Sequence, residues 1–285
     1  MATIIDGKAV SAKVRTEIAE KVAKIEAETG KRPGLAVVIV GEDPASKVYV
    51  RNKAKGCAEV GFYSEVHELP DNATEEELMA LIDRLNADER INGILCQLPL
   101  PGHLDEKAVV DRIRQDKDVD AFHPANVGKI MIGDYDFLPC TPAGVMRLLE
   151  EYEISPAGKN CVVVGRSNIV GKPQAMLLLQ KNGTVTVCHS RTADLKAECK
   201  KADILVVAIG KAKFIDADYI KPGATVIDVG MNRDENGKLC GDVDYESAKE
   251  VAGAITPVPG GVGPMTIAML LTNTLKAFEI AEARR

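Results

Sequence analysis

The stretch Asn160–Pro173, NCVVVGRSNIVGKP, decides how this chain is read. Cys161 to Val164 form a short apolar run with the length and composition of a strand buried on both faces. Gly165 ends the run, a polar turn follows, and an apolar helical pattern resumes after Gly171. Strand, glycine turn and helix N-terminus leave free N–H groups beside the positive end of a helix dipole, which suits a diphosphate. A Rossmann-like unit usually opens its domain. Here it starts past the middle of 285 residues, so something else precedes it.

Working downstream, strands at 184–188, 203–208 and 224–229 alternate with short helices, which predicts a parallel sheet. In NAD enzymes an acid about 20 residues past the glycines accepts from the ribose 2′-hydroxyl. This chain has His189, Ser190, Arg191 and Thr192 there instead, and Arg166 in the first turn. Two arginines and a serine suit a 2′-phosphate, so NADP is favoured over NAD; a solvated surface charge is the other reading of Arg191. Glycines close the next strands as well, with Gly210 after the third and Gly230-Met231 after the fourth. Such glycines let backbone approach a flat ligand.

Upstream, Val10, Val14, Ile18, Val22 and Ile25 make a helical stripe closed by Gly30. Leu35–Val40, 62–68 and Ile91–Cys96 read as strands. Helices are expected at Ser46–Val60, from the Thr74/Glu77 capping box, and at Leu104–Ile113. Residues 114–140 read as an inter-domain connection, after which Thr141-Pro142 opens a helix. The last helix runs from Pro264 almost to the end, with Ile267, Leu270, Leu271, Leu275 and Phe278 on one face. The expected architecture is two α/β domains with a cleft between them, the second Rossmann-like.

Composition narrows the function. Apolar content of 46% and charged content of 27% fit a soluble globular enzyme. A net charge of -6 argues against nucleic-acid binding and means that an anionic ligand needs local cations. No apolar run is long enough for a membrane span. The N-terminus, with Asp6 and no apolar core, resembles neither a secretory signal nor an organelle presequence. Seven cysteines without a CxxC pair suggest reduced, buried thiols in a cytoplasmic protein and no metal site.

Candidate chemistry lies in the first half. Tyr49 and Lys53, at i and i+4, share a helical face; an amphipathic helix with a snorkelling lysine gives the same pattern. Gln97 ends an apolar strand, where an amide needs partners that a lysine nitrogen supplies. Asp118 and Asp120 lie in KDVDAFHPAN beside His123, and TPVPGGVGPMT sets three glycines between prolines before the last helix. His103 and His123 read as structural or solvated.

These segments in this order resemble one family. Tyr49-x-x-x-Lys53, Gln97-Leu98-Pro99-Leu100-Pro101, Lys117-Asp118-Val119-Asp120, Gly165-Arg166-Ser167 with Ile169-Val170-Gly171, and Pro259-Gly260-Gly261-Val262-Gly263-Pro264 are similar to the signatures of bifunctional methylenetetrahydrofolate dehydrogenase/methenyltetrahydrofolate cyclohydrolase. The resemblance runs from Asp6-Gly7 to the last helix. It implies NADP-dependent oxidation of 5,10-methylenetetrahydrofolate, then hydrolysis of the methenyl cation to 10-formyltetrahydrofolate, in the one-carbon metabolism that serves purine biosynthesis.

It further implies that Lys53 is the base or proton shuttle of the hydrolysis, with Gln97 positioning it and Tyr49 packing on the folate. Asp120 would accept from the pterin edge, and Leu98 with Pro259, Gly260, Gly261, Val262 and Gly263 would line the substrate. The cofactor would meet Gly165, Arg166, Ser167, Ile169, Ser190, Arg191, Gly210 and Met231. A free lysine titrates near ~10.4; burial and a substrate cation favour the neutral amine. On this reading residues 1–120 are the folate-binding catalytic domain and 121–285 the NADP-binding domain, with the linker and the helix 264–285. A homodimer is implied. A shikimate-dehydrogenase-like NADP reductase is one alternative, although it has no use for Tyr49, Gln97 and the PGGVGP loop together. A non-catalytic nucleotide-binding regulator of the same fold is the other.

Overall fold

The structure, a computed structural model, describes residues 2–284. It opens with β1 (Thr3–Ile4) and α1 (Gly7–Thr29). α1 buries Val10, Val14, Ile18 and Val22, the face that the helical spacing predicts. Then β2 (Gly34–Val40), α2 (Pro44–Val60), β3 (Tyr63–Leu69), α3 (Glu75–Ala87) and β4 (Gly93–Cys96) alternate. The three strands form a parallel sheet in the order β3-β2-β4. All seven residues of central β2 are buried, so it reads as an unbroken apolar run. Its Ala36, Val38 and Val40 pack in one cluster with Leu78, Ile82 and Leu85 of α3. The capping box forms: Glu77 N–H donates to Thr74 Oγ1 (3.2 Å) and Thr74 N–H to Glu77 Oε2 (2.9 Å).

α4 (Glu106–Arg112) and α5 (Pro124–Ile132) follow. α5 lies inside the stretch expected to be connection. Its signals are ordinary ones: Pro124 in the first turn, His123 Nδ1 accepting from Ala125 N–H (3.1 Å), and left-handed Gly133 at its end. The surrounding Asp, Asn and Gly residues mask them in the sequence.

The remainder comprises α6 (Cys140–Glu151), β5 (Asn160–Val164), α7 (Gly171–Gln180), β6 (Thr184–Cys188), α8 (Leu195–Cys199), β7 (Ile204–Val207) and β8 (Thr225–Asp228). After them come a small antiparallel pair, β9 (Asn232–Arg233) and β10 (Leu239–Cys240), then α9 (Tyr245–Ala248), β11 (Ala254–Ile255) and α10 (Val262–Ala283). The main sheet is parallel, in the order β1-β11-β8-β7-β5-β6. From β5 the chain steps to β6 on one side, then crosses to β7 on the other. That reversal puts a crevice at the carboxyl ends of β5 and β7, where ligands of such sheets bind.

Contacts divide the chain into two compact units, neither continuous in sequence. The three-stranded unit is Ala12–Leu138 with the chain from Ile267 onward; the six-stranded unit is the chain up to Ser11 with Pro139–Thr266. A single boundary after residue 120, with 264–285 in the second half, therefore differs from the packing. β1 completes the large sheet by pairing with β11. In α10, Ile267 and Leu271 close on Gly56 of α2, where an added Cβ would lie 3.1 and 3.5 Å from them. Among the described residues no helix is long and apolar enough to cross a membrane, and no group of His, Cys, Asp or Glu is placed to hold a metal.

Candidate active site and cofactor loop

In the three-stranded unit the chemistry gathers at the end of β4. Gln97 follows the last strand residue, and its N–H donates to Val38 O (2.8 Å), which extends the ladder by one residue. Its side-chain Oε1 accepts from Lys53 Nζ at 2.9 Å, while Nε2 donates to Leu98 O at 2.7 Å. The carbonyl of Leu98 fixes which way the amide points, so an oxygen, not an NH₂, faces the lysine. Tyr49 sits one turn before Lys53 on the same face of α2, 38% exposed; partial burial raises the pKa of its hydroxyl. Cys96 ties Asp120 to this place. Burial pushes its thiol up to about 12, Asp120 adds to the rise and Lys53 opposes it, so the thiol lies in the field of both.

Asp118 and Asp120 have different surroundings although they stand two residues apart. Asp118 is 3% exposed and accepts from His123 N–H (2.8 Å) and Asn126 Nδ2 (2.8 Å). Burial raises its pKa, and those two donors work against the rise. It therefore ties down its own loop. Asn273 of α10 adds a clamp, donating through Nδ2 to Val119 O and Leu138 O, both 2.8 Å. Ile94 N–H donates to Lys117 O (2.8 Å), which lays the segment along β4. Half-buried Asp120 is thus presented from a fixed backbone. Sequence reasoning passed over Asn126 and Asn273, and their near-complete burial has no signal in the local pattern. His123 caps α5 and His103 Nε2 meets Ala73 O at 2.9 Å, so both imidazoles have structural partners.

The other candidates lie in the six-stranded unit. Gly165 has φ 136°, and an added Cβ would stand 2.3 Å from Ala208 O, so the loops after β5 and β7 touch there. At Gly171 a Cβ would stand 2.2 Å from Gly165 O; the helix start and the strand end leave room for backbone alone. Ser167 Oγ accepts the N–H groups of Val170 (3.2 Å) and Gly171 (3.3 Å), which closes the turn. Arg166 and Ile169 are exposed on it.

β6 runs beside β5, with Gly165 N–H donating to Cys188 O (2.9 Å). Ser190 and Arg191 therefore emerge next to the glycine turn, and both are exposed. His189 Nδ1 accepts from Arg191 N–H (3.1 Å) and His189 N–H donates to Thr192 Oγ1 (2.9 Å), which shapes that turn. Among the described residues neither the Arg166 nor the Arg191 guanidinium has a carboxylate partner. A backbone cradle with two such cations and no acid fits a phosphorylated dinucleotide.

Gly210 and Met231 are exposed at the ends of β7 and β8. Met231 Cε would lie 3.3 Å from a Cβ added at Gly263, so Met231 borders the glycine loop. In that loop Gly260 has φ 109°, and its carbonyl accepts from Lys8 N–H (3.0 Å). A Cβ at Gly7 would stand 1.8 Å from Gly261 O. Pro259 is exposed, whereas the Val262 side chain is 3% exposed and belongs to the core, leaving its backbone for any ligand.

The chain is similar to known proteins along most of its length. Residues 5–120 match the family model described as tetrahydrofolate dehydrogenase/cyclohydrolase, catalytic domain. Residues 139–282 match that of the same family's NAD(P)-binding domain. The bifunctional protein FolD of Acetivibrio thermocellus is 62% identical over 283 residues, 98% of each chain. The crystal structure of the bifunctional enzyme FolD from Campylobacter jejuni superposes with a TM-score of 0.96 at 49% identity, covering 100% of both chains. A Trypanosoma brucei methylenetetrahydrofolate dehydrogenase-cyclohydrolase, solved with NADP cofactor and inhibitor, gives 0.95 at 42% identity, over 100% of this chain and 99% of that one.

Proposed function

The chain belongs to the tetrahydrofolate dehydrogenase/cyclohydrolase family and is a bifunctional, NADP-dependent enzyme of it, and we propose how its own residues divide the two reactions. It oxidises 5,10-methylenetetrahydrofolate to the 5,10-methenyl cation and hydrolyses that cation to 10-formyltetrahydrofolate. The matches to both family models, over residues 5–120 and 139–282, leave no favour for a shikimate-dehydrogenase-like reductase or a regulator.

The hydrolysis falls to Lys53. Water adds to the methenyl carbon while the amine takes one of its protons; the adduct's hydroxyl proton then passes to N5 as the formyl C=O forms and the bond from that carbon to N5 breaks. The observation that carries this reading is the 2.9 Å bond from Lys53 Nζ to Gln97 Oε1. It holds a long, flexible side chain in one place, and positioning of this kind is what a proton transfer needs. Tyr49 supplies the face on which the folate packs. Asp120 accepts from the pterin's amidine-like edge, where one carboxylate meets two donors. Leu98 and the backbone of Pro259–Gly263 are assigned to substrate binding.

NADP, when bound, would supply the acceptor for the hydride of the methylene carbon. Gly165, Ser167 and Ile169 form its cradle, Arg166, Ser190 and Arg191 take the 2′-phosphate, and Gly210 and Met231 border the rest. Oxidation needs no base from the protein, since the folate nitrogens drive the hydride out; orientation is the protein's contribution. We place the enzyme in the cytoplasm, a compartment that suits seven buried thiols, and as a homodimer. The exposed edge strand β6, with Val187 at 40%, is a surface that association would cover.

The test follows methylenetetrahydrofolate oxidation with NADP and with NAD while monitoring methenyl absorbance. Turnover with NADP, little methenyl accumulation and a higher kcat/KM than with NAD are expected. Absence of turnover with both cofactors would end the reading.

A further inference from the structure

Two carboxylates are buried in the six-stranded unit with no cation paired to either among the described residues. Asp242, 0% exposed, accepts through Oδ2 from the N–H groups of Ile209 (2.7 Å) and Gly210 (3.0 Å). Its Oδ1 accepts from Lys211 N–H (2.8 Å) and from Asn232 Nδ2 (2.8 Å). Asp228, 3% exposed, accepts through Oδ1 from Gly230 N–H and Asp242 N–H, both 2.9 Å, and through Oδ2 from Val243 N–H at 2.9 Å. Asp228 N–H in turn donates to Thr256 Oγ1 (2.8 Å).

Burying a carboxylate is costly unless donors replace its water, and here backbone N–H groups replace nearly all of it. Three consecutive N–H groups turned to one carboxylate form an anion nest, occupied by the protein's own side chain. The room is reserved by glycines. A Cβ at Gly230 would lie 2.3 Å from Asp242 Cγ, and one at Gly241 would lie 1.8 Å from Asp228 Oδ2. An amide offers only one acceptor atom and would turn an NH₂ against N–H groups; an apolar side chain would leave all of them unpaired. What these carboxylates hold is the chain just after β7 and β8, Ile209–Lys211 and Gly230–Asn232, which carries Gly210 and Met231.

We propose that Asp242 is a positioning residue for the dinucleotide: its carboxylate sets the Ile209–Lys211 backbone and Asn232 so that Gly210 and Met231 meet NADP in one fixed arrangement, and Asp228 fixes Asp242. The proposal rests on the reading that Gly210 and Met231 border the cofactor. The test uses the full-length enzyme carrying Asp242→Asn, with both activities measured and the hydrolysis assayed on supplied methenyltetrahydrofolate without NADP.

The KM for NADP rises about tenfold or more, dehydrogenase kcat at saturating NADP stays within about threefold, and hydrolysis stays within about twofold. Met231→Glu, which sets an anion where NADP is read to lie, separates the two readings. If Met231→Glu raises the KM for NADP and Asp242→Asn does not, the positioning role is overturned and the cofactor reading stands. If neither moves it, the cofactor reading fails and takes the proposal with it. If Asp242→Asn does not fold, Asn232→Ala removes one donor from the same carboxylate. A rise of about threefold in the KM for NADP with hydrolysis retained then supports the proposal, and an unchanged KM overturns it.

Discussion

Asp118 and Asp120 show how far a residue type alone leads. Both are carboxylates of one short motif, and apart from the family resemblance the sequence offers nothing that ranks them. The fold does: Asp118 faces inward onto His123 N–H and Asn126, while Asp120 stays half-buried and helps raise the pKa of the Cys96 thiol. Asp118→Ala leaves two buried donors unpaired and lowers stability by about 1–3 kcal/mol in denaturant unfolding. Asp120→Asn keeps the melting temperature and raises the folate KM instead. An identical pattern in the two variants would remove the distinction.

Asp228 gives a pH-dependent counterpart. Burial pushes its carboxyl up to about 7 against three N–H donors, whereas an unfolded Asp titrates near ~3.9. The folded chain thus keeps a proton that the unfolded chain releases. The resulting stability is present in full below the unfolded pKa and is lost as pH rises toward 7. Melting temperatures of the wild type measured against Asp228→Asn fall between pH 5 and pH 8; a constant difference would contradict the assignment. Lys53 and Gln97 were legible as a pair because an amide ending an apolar strand needs a partner. Asp228 and Asp242 were not, because nothing local marks an aspartate that three backbone amides will face.

At the scale of elements, a continuous apolar run, a glycine stop or a capping signal made an element readable, whereas α5 was hidden by the Asp, Asn and Gly residues around its ordinary signals. β2, β5 and α3 follow from an apolar run, a glycine stop and a capping box. β1 and β11 have two residues each, too few to show a period; pairing with a neighbouring strand makes them strands. The turn after β5 is the most exacting element. Its Gly165 combines φ 136° with a carbonyl 2.3 Å from where a Cβ would stand. Gly165→Ala therefore costs about 1–3 kcal/mol of stability and weakens NADP binding, while hydrolysis of supplied methenyltetrahydrofolate persists. Isothermal titration with NADP and the NADP-free assay check this together. Unchanged NADP affinity would show that the turn tolerates a side chain and would remove the close-approach argument.

For the whole molecule, two parallel α/β units and the order of their motifs were legible from the alternation of patterns. The packing partners of the chain ends were not. An amphipathic stripe says that α10 buries one face but not which element receives it, and Gly56 of α2 has no sequence mark as its seat. The separation of chemistry is the larger consequence. Lys53, Gln97, Asp120 and Tyr49 belong to one compact unit, and the glycine turn with Arg166 and Arg191 belongs to the other. One reaction should therefore be removable without the other. Lys53→Met, assayed for both activities with folate binding measured in parallel, is the most direct test. The account predicts that hydrolysis falls at least about a hundredfold while NADP-dependent oxidation remains measurable, so that the methenyl cation accumulates. Equal loss of both activities with folate binding intact would contradict it.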